Sequence, residues 1–151
     1  MNKSFIIYLI LTILLLPAGW FIIQKLSENS ATFQIQKIKI NGIPVEVELA
    51  DTLEKKVRGL SGRADLSENR GMLFIYDTPG FYGIWMKDME FPIDIIWIDK
   101  NGKIIDITKN VKPESFPKTF TSSGPAKYIL EVNAGFADKQ NIKIGGRVEG
   151  L

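Results

Sequence analysis

The fold is decided by residues 33–62, which read FQIQKIKINGIPVEVELADTLEKKVRGLSG. Apolar and polar side chains alternate on both sides of Asn41-Gly42, a pair that is typical of a tight hairpin turn. Asp51 is followed three residues later by Glu54, which matches a capping box at the start of a helix. The apolar residues that follow at helical spacing are Leu53, Val57 and Leu60. The stretch therefore predicts a β-hairpin followed by one helix.

Further short strands are predicted by six other apolar or alternating runs. These runs are residues 72–76, 84–86, 93–98, 103–108, 128–133 and 147–151. Residues 111–125 contain three prolines and predict a long loop. We therefore expect residues 33–151 to form one α+β domain of mainly antiparallel strands, a compact barrel-like fold with one main helix.

The N-terminal region contains an uncharged apolar run over residues 5–23, FIIYLILTILLLPAGWFII, between Lys3 and Lys25. A helix of this length would span about 28 Å, close to the ~30 Å core of a bilayer. Neither possible cleavage site has the small residues that signal peptidase requires, so an anchor is preferred over a cleaved signal peptide. We predict a transmembrane helix over 5–23, a cytoplasmic N-terminus over 1–4, a linker over 24–32 and an extracytoplasmic domain at the cell membrane.

Composition excludes several classes of function. The chain has no Cys and no His, so it has no disulfide, no thiolate nucleophile and no Ser-His-Asp triad. Its net charge is only +2, whereas a general nucleic-acid binder needs a concentrated basic face. No clustered Asp/Asn loop of EF-hand type occurs. We predict no dedicated metal, no cofactor and no nucleic-acid partner, and the oligomeric state stays open.

Six short motifs occur in a fixed order along the predicted domain. They are Arg58-Gly59-Leu60, Gly71-Met72-Leu73-Phe74, Trp85-Met86-Lys87, Pro92-Ile93-Asp94-Ile95, Pro125-Ala126 and Leu130-Glu131-Val132-Asn133-Ala134-Gly135. Together they resemble the Domain of Unknown Function 192 family, whose bacterial and archaeal members often follow a signal sequence or a membrane anchor. The resemblance implies a compact β-rich fold with a single helix, and it supplies no established activity. The chain departs from the family pattern at Ser61, Asp88-Met89 and Gly145-Gly146.

Asp94 is the first candidate site residue. It opens the run Asp94-Ile95-Ile96-Trp97-Ile98, which is apolar on both faces and predicts a central strand. A carboxylate buried there needs a partner, for which Arg58, Arg63 and Lys87 are the candidates. A structural role, in which Asp94 caps a turn or anchors the helix through Arg58, is preferred over a role in a site.

Glu131 is the second candidate, because it shares a strand face with Ile129 and Asn133. On one interpretation it is a solvent-facing carboxylate on a half-buried strand. On the other it faces a pocket together with Asp94, and the two carboxyl groups perform acid–base chemistry on a sugar or phosphate.

The third signal is a cluster of aromatic residues between positions 72 and 98, part of which must be core. A loop that carries Trp85 beside Lys87 and Asp88 suits a ligand platform. The expected ligand-binding residues are Arg58, Trp85, Met86, Lys87, Asp88, Asp94 and Glu131.

The sequence thus predicts a membrane-anchored extracytoplasmic domain that binds a small molecule or a component of the cell envelope. The first alternative is a hydrolase or lyase that acts on envelope sugars through Asp94 and Glu131. The second alternative is a docking partner for another membrane protein. Whether the protein is an enzyme stays open, with binding preferred over catalysis.

Overall fold

The computed structural model describes residues 33–151, and the predicted N-terminus, anchor and linker lie outside the described residues. Among the helices of residues 33–151, none is long and apolar enough to cross a membrane. The elements are β1 (Gln34–Ile40), β2 (Ile43–Ala50), α1 (Leu53–Arg58), β3 (Arg70–Gly80), β4 (Ile84–Trp85), β5 (Ile93–Ile98), β6 (Ile104–Val111), a 3-10 helix (Pro113–Ser115), β7 (Thr119–Phe120), β8 (Ala126–Asn133), α2 (Phe136–Lys139) and β9 (Val148–Glu149).

Seven strands form one sheet in the order β6-β5-β8-β3-β2-β1-β9, while β4 and β7 pair separately. The predicted hairpin is present, with β1 and β2 in register from Gln34 opposite Leu49 to Ile40 opposite Ile43. β2 and β3 run parallel, because α1 and the turn after it carry the chain back across the sheet between them. Every other pairing of the sheet is antiparallel, which fits the expected fold class.

The C-terminal segment connects β1 at one side of the sheet with β6 at the other. β9 pairs with β1 at Lys39 and Ile40. On the other side, the Ile104 N–H at the start of β6 donates to the Gly146 carbonyl at 2.9 Å, and the Gly145 N–H donates to the Ile104 carbonyl at 2.8 Å. The sheet therefore curls into a barrel-like form whose outer strands are bridged at one end.

Both faces of the central strands are covered. On β8, Leu130 and Val132 point into the main core together with Leu73 of β3 and Ile96 of β5. The alternate residues of these strands, such as Phe74, are also buried but point to the outer face. The outer face is covered by the turn after α1, since a Cβ on its C-cap Gly59 would lie 3.4 Å from the Phe74 ring.

The helix differs from its prediction in two respects. Thr52, rather than Asp51, is the N-cap, and its hydroxyl accepts from the Lys55 N–H at 3.3 Å. Leu53 and Val57 do not pack, since they are 78% and 64% exposed. The reason is that α1 has only six residues and meets the sheet through the turn that follows it.

Two segments were not anticipated by the sequence patterns. β7 lies within residues 111–125, which were predicted as a loop, and it is a strand only because β4 pairs with it. The four-residue helix α2 follows Gly135, whose φ of 83° favours glycine. Neither segment is long enough to produce a periodic pattern.

Candidate functional site

Glu131 lies on the floor of a cleft on the outer face of the sheet. It is opposite Met72 in the β3–β8 register, so its side chain points away from the main core. Close packing fixes the backbone here, because a Cβ on Gly71 would lie 2.7 Å from the Glu131 carbonyl oxygen. Glu131 is nevertheless only 4% exposed.

The cleft lies between α1 with the turn that follows it and the loop that contains β4. It has a volume of about 50 Å³, and since one water needs roughly 10–15 Å³, a few water molecules or one small functional group fit within it. The lining residues are Lys56, Val57, Arg58, Gly59, Leu60, Ser61, Phe74, Tyr76, Gly83, Ile84, Trp85, Met89 and Glu131.

Aromatic rings surround the entrance. Trp85 is 50% exposed, and Phe116 stands edge-on to it with ring centroids 6.4 Å apart. On the other side, Tyr76 stacks on Tyr82 at 3.5 Å, and the Lys56 ammonium lies 4.7 Å above the Tyr76 ring. The entrance thus offers flat apolar surface with a cation beside it.

Two hydrogen bonds to backbone carbonyls hold the walls together. The Ser61 hydroxyl donates to the Lys87 carbonyl at 2.8 Å. The Gly62 N–H donates to the Asp88 carbonyl at 2.7 Å. The loop that carries Trp85 is therefore fixed to the turn after α1.

The electrostatic environment of Glu131 is unusual. Burial raises the pKa of its carboxyl to about 8, and the positive charge of Arg63 partly opposes that rise. Arg63 is itself engaged by Glu48 through two hydrogen bonds of 2.7 and 2.6 Å, which lower the pKa of Glu48. Burial of the Tyr76 hydroxyl, together with the neighbouring Glu131 carboxyl, raises the pKa of Tyr76 to about 12. At neutral pH the Glu131 carboxyl is therefore mostly protonated and can both donate and accept a hydrogen bond.

No group within residues 33–151 forms a hydrogen bond with the Glu131 carboxyl. Every fully enclosed side-chain nitrogen or oxygen of that same region has a hydrogen-bond partner. Glu131 differs because its carboxyl lines the cleft. A group that enters the cleft would supply the missing partner.

Asp94 lies on the opposite face of the sheet. It is opposite Val132 in the β5–β8 register, while Glu131 is opposite Ile95, so the two side chains point to different faces. The expectation that Asp94 and Glu131 share a pocket is therefore corrected. Without that pair, the proposed hydrolase or lyase lacks its two facing carboxyl groups.

The expected arginine partner of Asp94 is also corrected. Its two oxygens accept hydrogen bonds from the Asn110 N–H at 2.8 Å and the Ala137 N–H at 2.9 Å. These contacts fix an irregular part of β6, where Asn110 has a φ of 50°, to the first turn of α2. Asp94 is thus a structural residue that caps a turn, which was the preferred interpretation, although no arginine takes part.

The other expected ligand-binding residues divide into two groups. Arg58, Trp85 and Glu131 meet at the cleft. Met86 is buried, and the side chains of Lys87 and Asp88 are exposed. Lys87 and Asp88 support the cleft through their backbone carbonyls, which accept the hydrogen bonds from Ser61 and Gly62.

Sequence reasoning did not assign Lys56, Tyr76 or Phe116 to the site. Tyr76 could have been assigned from the sequence, because it lies two residues after Phe74 and therefore shares its strand face. Lys56 and Phe116 had none, since a lysine on a short helix and an aromatic in a proline-rich loop are ordinary surface features. In the part of the chain that the structure describes, no three acidic, His or Cys side chains converge as a metal site would require.

Comparison with known proteins places the chain among uncharacterised relatives. The family DUF192, described as "Uncharacterized ACR", matches residues 36–150. A UPF0127 protein from Thermococcus sibiricus is 32% identical over 105 residues, which cover 68% of this chain and 64% of that protein. A UPF0127 protein from Pyrococcus furiosus is 28% identical over 112 residues, which cover 71% of this chain and 88% of that protein.

Two crystal structures share the fold. One, from Sinorhizobium meliloti 1021 and described as a proposed transcription regulator, is 29% identical with a TM-score of 0.76 and covers 80% of this chain and 96% of that chain. The other, a protein of unknown function from Novosphingobium aromaticivorans, is 29% identical with a TM-score of 0.74 and covers 79% of this chain and 87% of that chain. Because the family match extends over most of the sequence, this chain belongs to the DUF192 family of uncharacterised proteins.

Proposed function

We propose that this domain binds a small polar molecule, or one end of a larger one, in the cleft above Glu131. The observation that carries the proposal is the Glu131 carboxyl, which is buried, lines the cleft and has no hydrogen-bond partner within residues 33–151. Burying such a group costs free energy that a bound ligand would recover.

The aromatic entrance supports binding of a molecule that is larger than the cleft itself. A half-exposed Trp85 with Phe116 at its edge offers a face on which a sugar or another flat ring can rest. Only one substituent of such a molecule fits into the space of about 50 Å³ beneath it. Recognition would then combine ring contact at the entrance with a hydrogen bond at the floor.

Binding is favoured over catalysis because, among residues 33–151, no second acid is available beside Glu131. Asp94 points to the opposite face, and Glu48 is engaged by Arg63. A lone protonated carboxyl is a good hydrogen-bond donor, whereas glycoside hydrolysis ordinarily needs a second carboxylate as nucleophile or base.

We also propose that residues 5–23 anchor this domain on the outer side of the cell membrane, with a component of the envelope as its ligand. The uncharged run of nineteen residues supports this. Membrane fractions washed with alkaline carbonate should retain the full chain. A mature protein that begins near Ser30 would contradict the anchor.

A ligand other than nucleic acid is favoured for this chain, even though the Sinorhizobium structure is described as a proposed transcription regulator. The net charge is +2, and the floor of the cleft is a carboxyl group. Neither feature supplies the basic face that phosphate backbones require.

The test is a thermal-shift screen of the full-length protein in a detergent without a sugar headgroup. The compounds are sugars, sugar acids, nucleotides, lipid headgroups and duplex DNA. A ligand that binds only the folded state raises the midpoint of unfolding. We expect a hit whose affinity falls about tenfold or more in Trp85→Ala and in Glu131→Gln, since each removes a principal contact.

Two control variants accompany the screen. Phe81 is more exposed than Trp85 and does not line the cleft, and the Lys87 side chain is exposed to solvent. Phe81→Ala and Lys87→Ala should bind the hit as the wild type does. A hit that is insensitive to both cleft variants, or a screen without any hit, would contradict the proposal.

A further inference from the structure

We propose that an apolar patch at the cleft entrance docks onto the surface of the lipid bilayer in which the chain is anchored. The patch consists of Leu53, Val57, Trp85 and Phe116. This inference rests on the anchor of the proposed function and goes beyond it, because it assigns a partner, the interfacial region of a bilayer, to the surface around the cleft.

The helix α1 presents its apolar side to solvent. Leu53 and Val57 are 78% and 64% exposed, and their spacing of four residues places them on one face of the helix. Lys55 is buried instead, with its ammonium group 2.9 Å from the Asp51 carboxylate. A surface helix normally turns its apolar stripe toward the core. The polarity of α1 is therefore inverted, and its apolar stripe lacks a partner within residues 33–151.

The apolar stripe of α1 continues into the aromatic entrance of the cleft. Val57 and Trp85 line the same cleft, and Phe116 stands 6.4 Å from Trp85 between ring centroids. Both rings are partly exposed. Exposed apolar side chains that stand alone are ordinary, whereas a group of adjoining ones marks a surface that meets a partner.

The point where the chain enters the domain lies close to this patch. β1 begins at Gln34, which is opposite Leu49 on the neighbouring strand, about 4.8 Å away. α1 begins at Leu53, four residues after Leu49. The preceding linker, residues 24–32, has nine residues and extends over at most about 30 Å. If residues 5–23 are an anchor, a bilayer is therefore within reach of the patch.

The size and composition of the patch favour lipid over a protein partner. Even a fully buried aromatic side chain covers only about 150–250 Å², so four partly exposed side chains offer less than the roughly 800 Å² per partner of a stable protein interface. Trp and Phe favour the lipid–water interface, and aliphatic side chains of a surface helix insert beside them. Tethering raises the local concentration, so weak insertion suffices.

The test uses a fluorescent probe that senses lipid. Because the chain has no Cys, each single-cysteine variant carries one nitrobenzoxadiazole label at a known position. Leu53→Cys labels the patch at a residue that does not line the cleft. The labelled full-length protein is reconstituted into vesicles of phosphatidylcholine and phosphatidylglycerol. Quenching is measured with nitroxide-labelled lipid and, separately, with iodide in the water.

The matched control is Ile144→Cys, at an apolar residue that is 62% exposed. Ile144 lies two residues before Gly146, where an added Cβ would be 2.9 Å from the Asn41 side chain. Asn41 belongs to the turn at the far end of the β1–β2 hairpin from Gln34. The control position is therefore at the opposite end of this hairpin from the point where the chain enters.

We expect the nitroxide lipid to quench the probe at Leu53 several-fold more than the probe at Ile144, and iodide to quench it several-fold less. Adding Val57→Asp to the Leu53→Cys protein should remove most of the lipid quenching, because a carboxylate resists transfer into an apolar boundary. Adding Ile144→Asp should leave it unchanged. Both residues are exposed, so the urea midpoints of the two variants should match that of their parent.

Equal lipid quenching at the two labelled positions would overturn the docking and leave the anchor intact. Shielding of the Leu53 probe from iodide without lipid quenching would also overturn it, since a protein surface, such as a second copy of the chain, would then cover the patch. A chain that fails to float with the vesicles would overturn the anchor and the docking together. Ligand binding in the cleft is decided separately by the thermal-shift screen.

Discussion

Asp94 and Glu131 are buried carboxyl groups on paired strands, one register position apart, and they lie on opposite faces of the sheet. On the inner face, both oxygens of Asp94 accept backbone hydrogen bonds, from Asn110 and Ala137. On the outer face, Glu131 has no such donor within residues 33–151, and burial raises the pKa of its carboxyl.

The difference teaches that burial alone does not separate a structural acid from a candidate functional one. Asp94 links two irregular segments that have N–H groups to satisfy, so its partners belong to the fold. Glu131 faces a cleft walled by side chains of α1 and by Trp85, so its partner would come from outside the chain. What separates the two acids is whether the fold itself provides N–H donors to the buried carboxyl group.

The largest effect is expected from Asp94→Ala. It removes the acceptors of one buried N–H, that of Ala137, and one partly buried N–H, that of Asn110. Each hydrogen bond to a carboxylate that is lost costs roughly 1.5–3 kcal/mol. We expect the free energy of unfolding to fall by about 3–6 kcal/mol in urea titrations, with Asp94→Asn intermediate because its amide keeps one acceptor oxygen. Asp138→Ala, which removes an exposed acid paired with Lys109, is the control and should cost under about 1 kcal/mol. Similar small losses in both alanine variants would mean that Asp94 is no anchor.

A smaller effect that depends on pH is expected from Glu131→Gln. The pKa of Glu131 is about 8 in the folded state and near 4.5 in the unfolded chain. The unfolded chain therefore releases this proton first, and the wild type loses stability as the pH rises from 4.5 towards 8, by about 1.4 kcal/mol per unit at most. Gln does not titrate, so relative to the wild type the variant should gain about 3 kcal/mol between pH 4.5 and pH 7.

This comparison uses urea unfolding of both proteins at each pH, so that the titration of all other acids cancels. A difference in stability that stays constant with pH would show that Glu131 is ionised in the folded protein. The contrast between Glu131 and Asp94 would then fail.

The smallest effect is expected from Arg63→Gln. Arg63 lowers the pKa of Glu131, and its loss would also leave the Glu48 charge uncompensated. The pKa of Glu131, followed by the chemical shift of its side-chain carboxyl carbon in NMR titrations, should rise by about 0.5–1 unit. Arg70→Gln is the control, because Arg70 pairs with Glu46 instead. An unchanged pKa in Arg63→Gln would remove Arg63 from the environment of Glu131.

The sequence determined the hairpin at Asn41-Gly42, the buried central strand Ile93–Ile98 and the family. These features depend on the local alternation of apolar and polar residues, on the residues of the turn and on the order of the motifs, all of which are present in the sequence itself. It also determined which faces Leu130 and Glu131 occupy relative to each other, because side chains alternate along a strand.

Only the tertiary structure decided what each face meets. Asp94 and Glu131 are thirty-seven positions apart in the numbering, and only the register between β5 and β8 shows that they point to opposite faces. The short strand β7, the donors to Asp94 and the place of Lys56 and Phe116 at the cleft likewise arise from contacts between distant segments. Local patterns encode periodicity and turns, whereas the partner of a buried polar group is chosen by packing, which the chain acquires only when it folds.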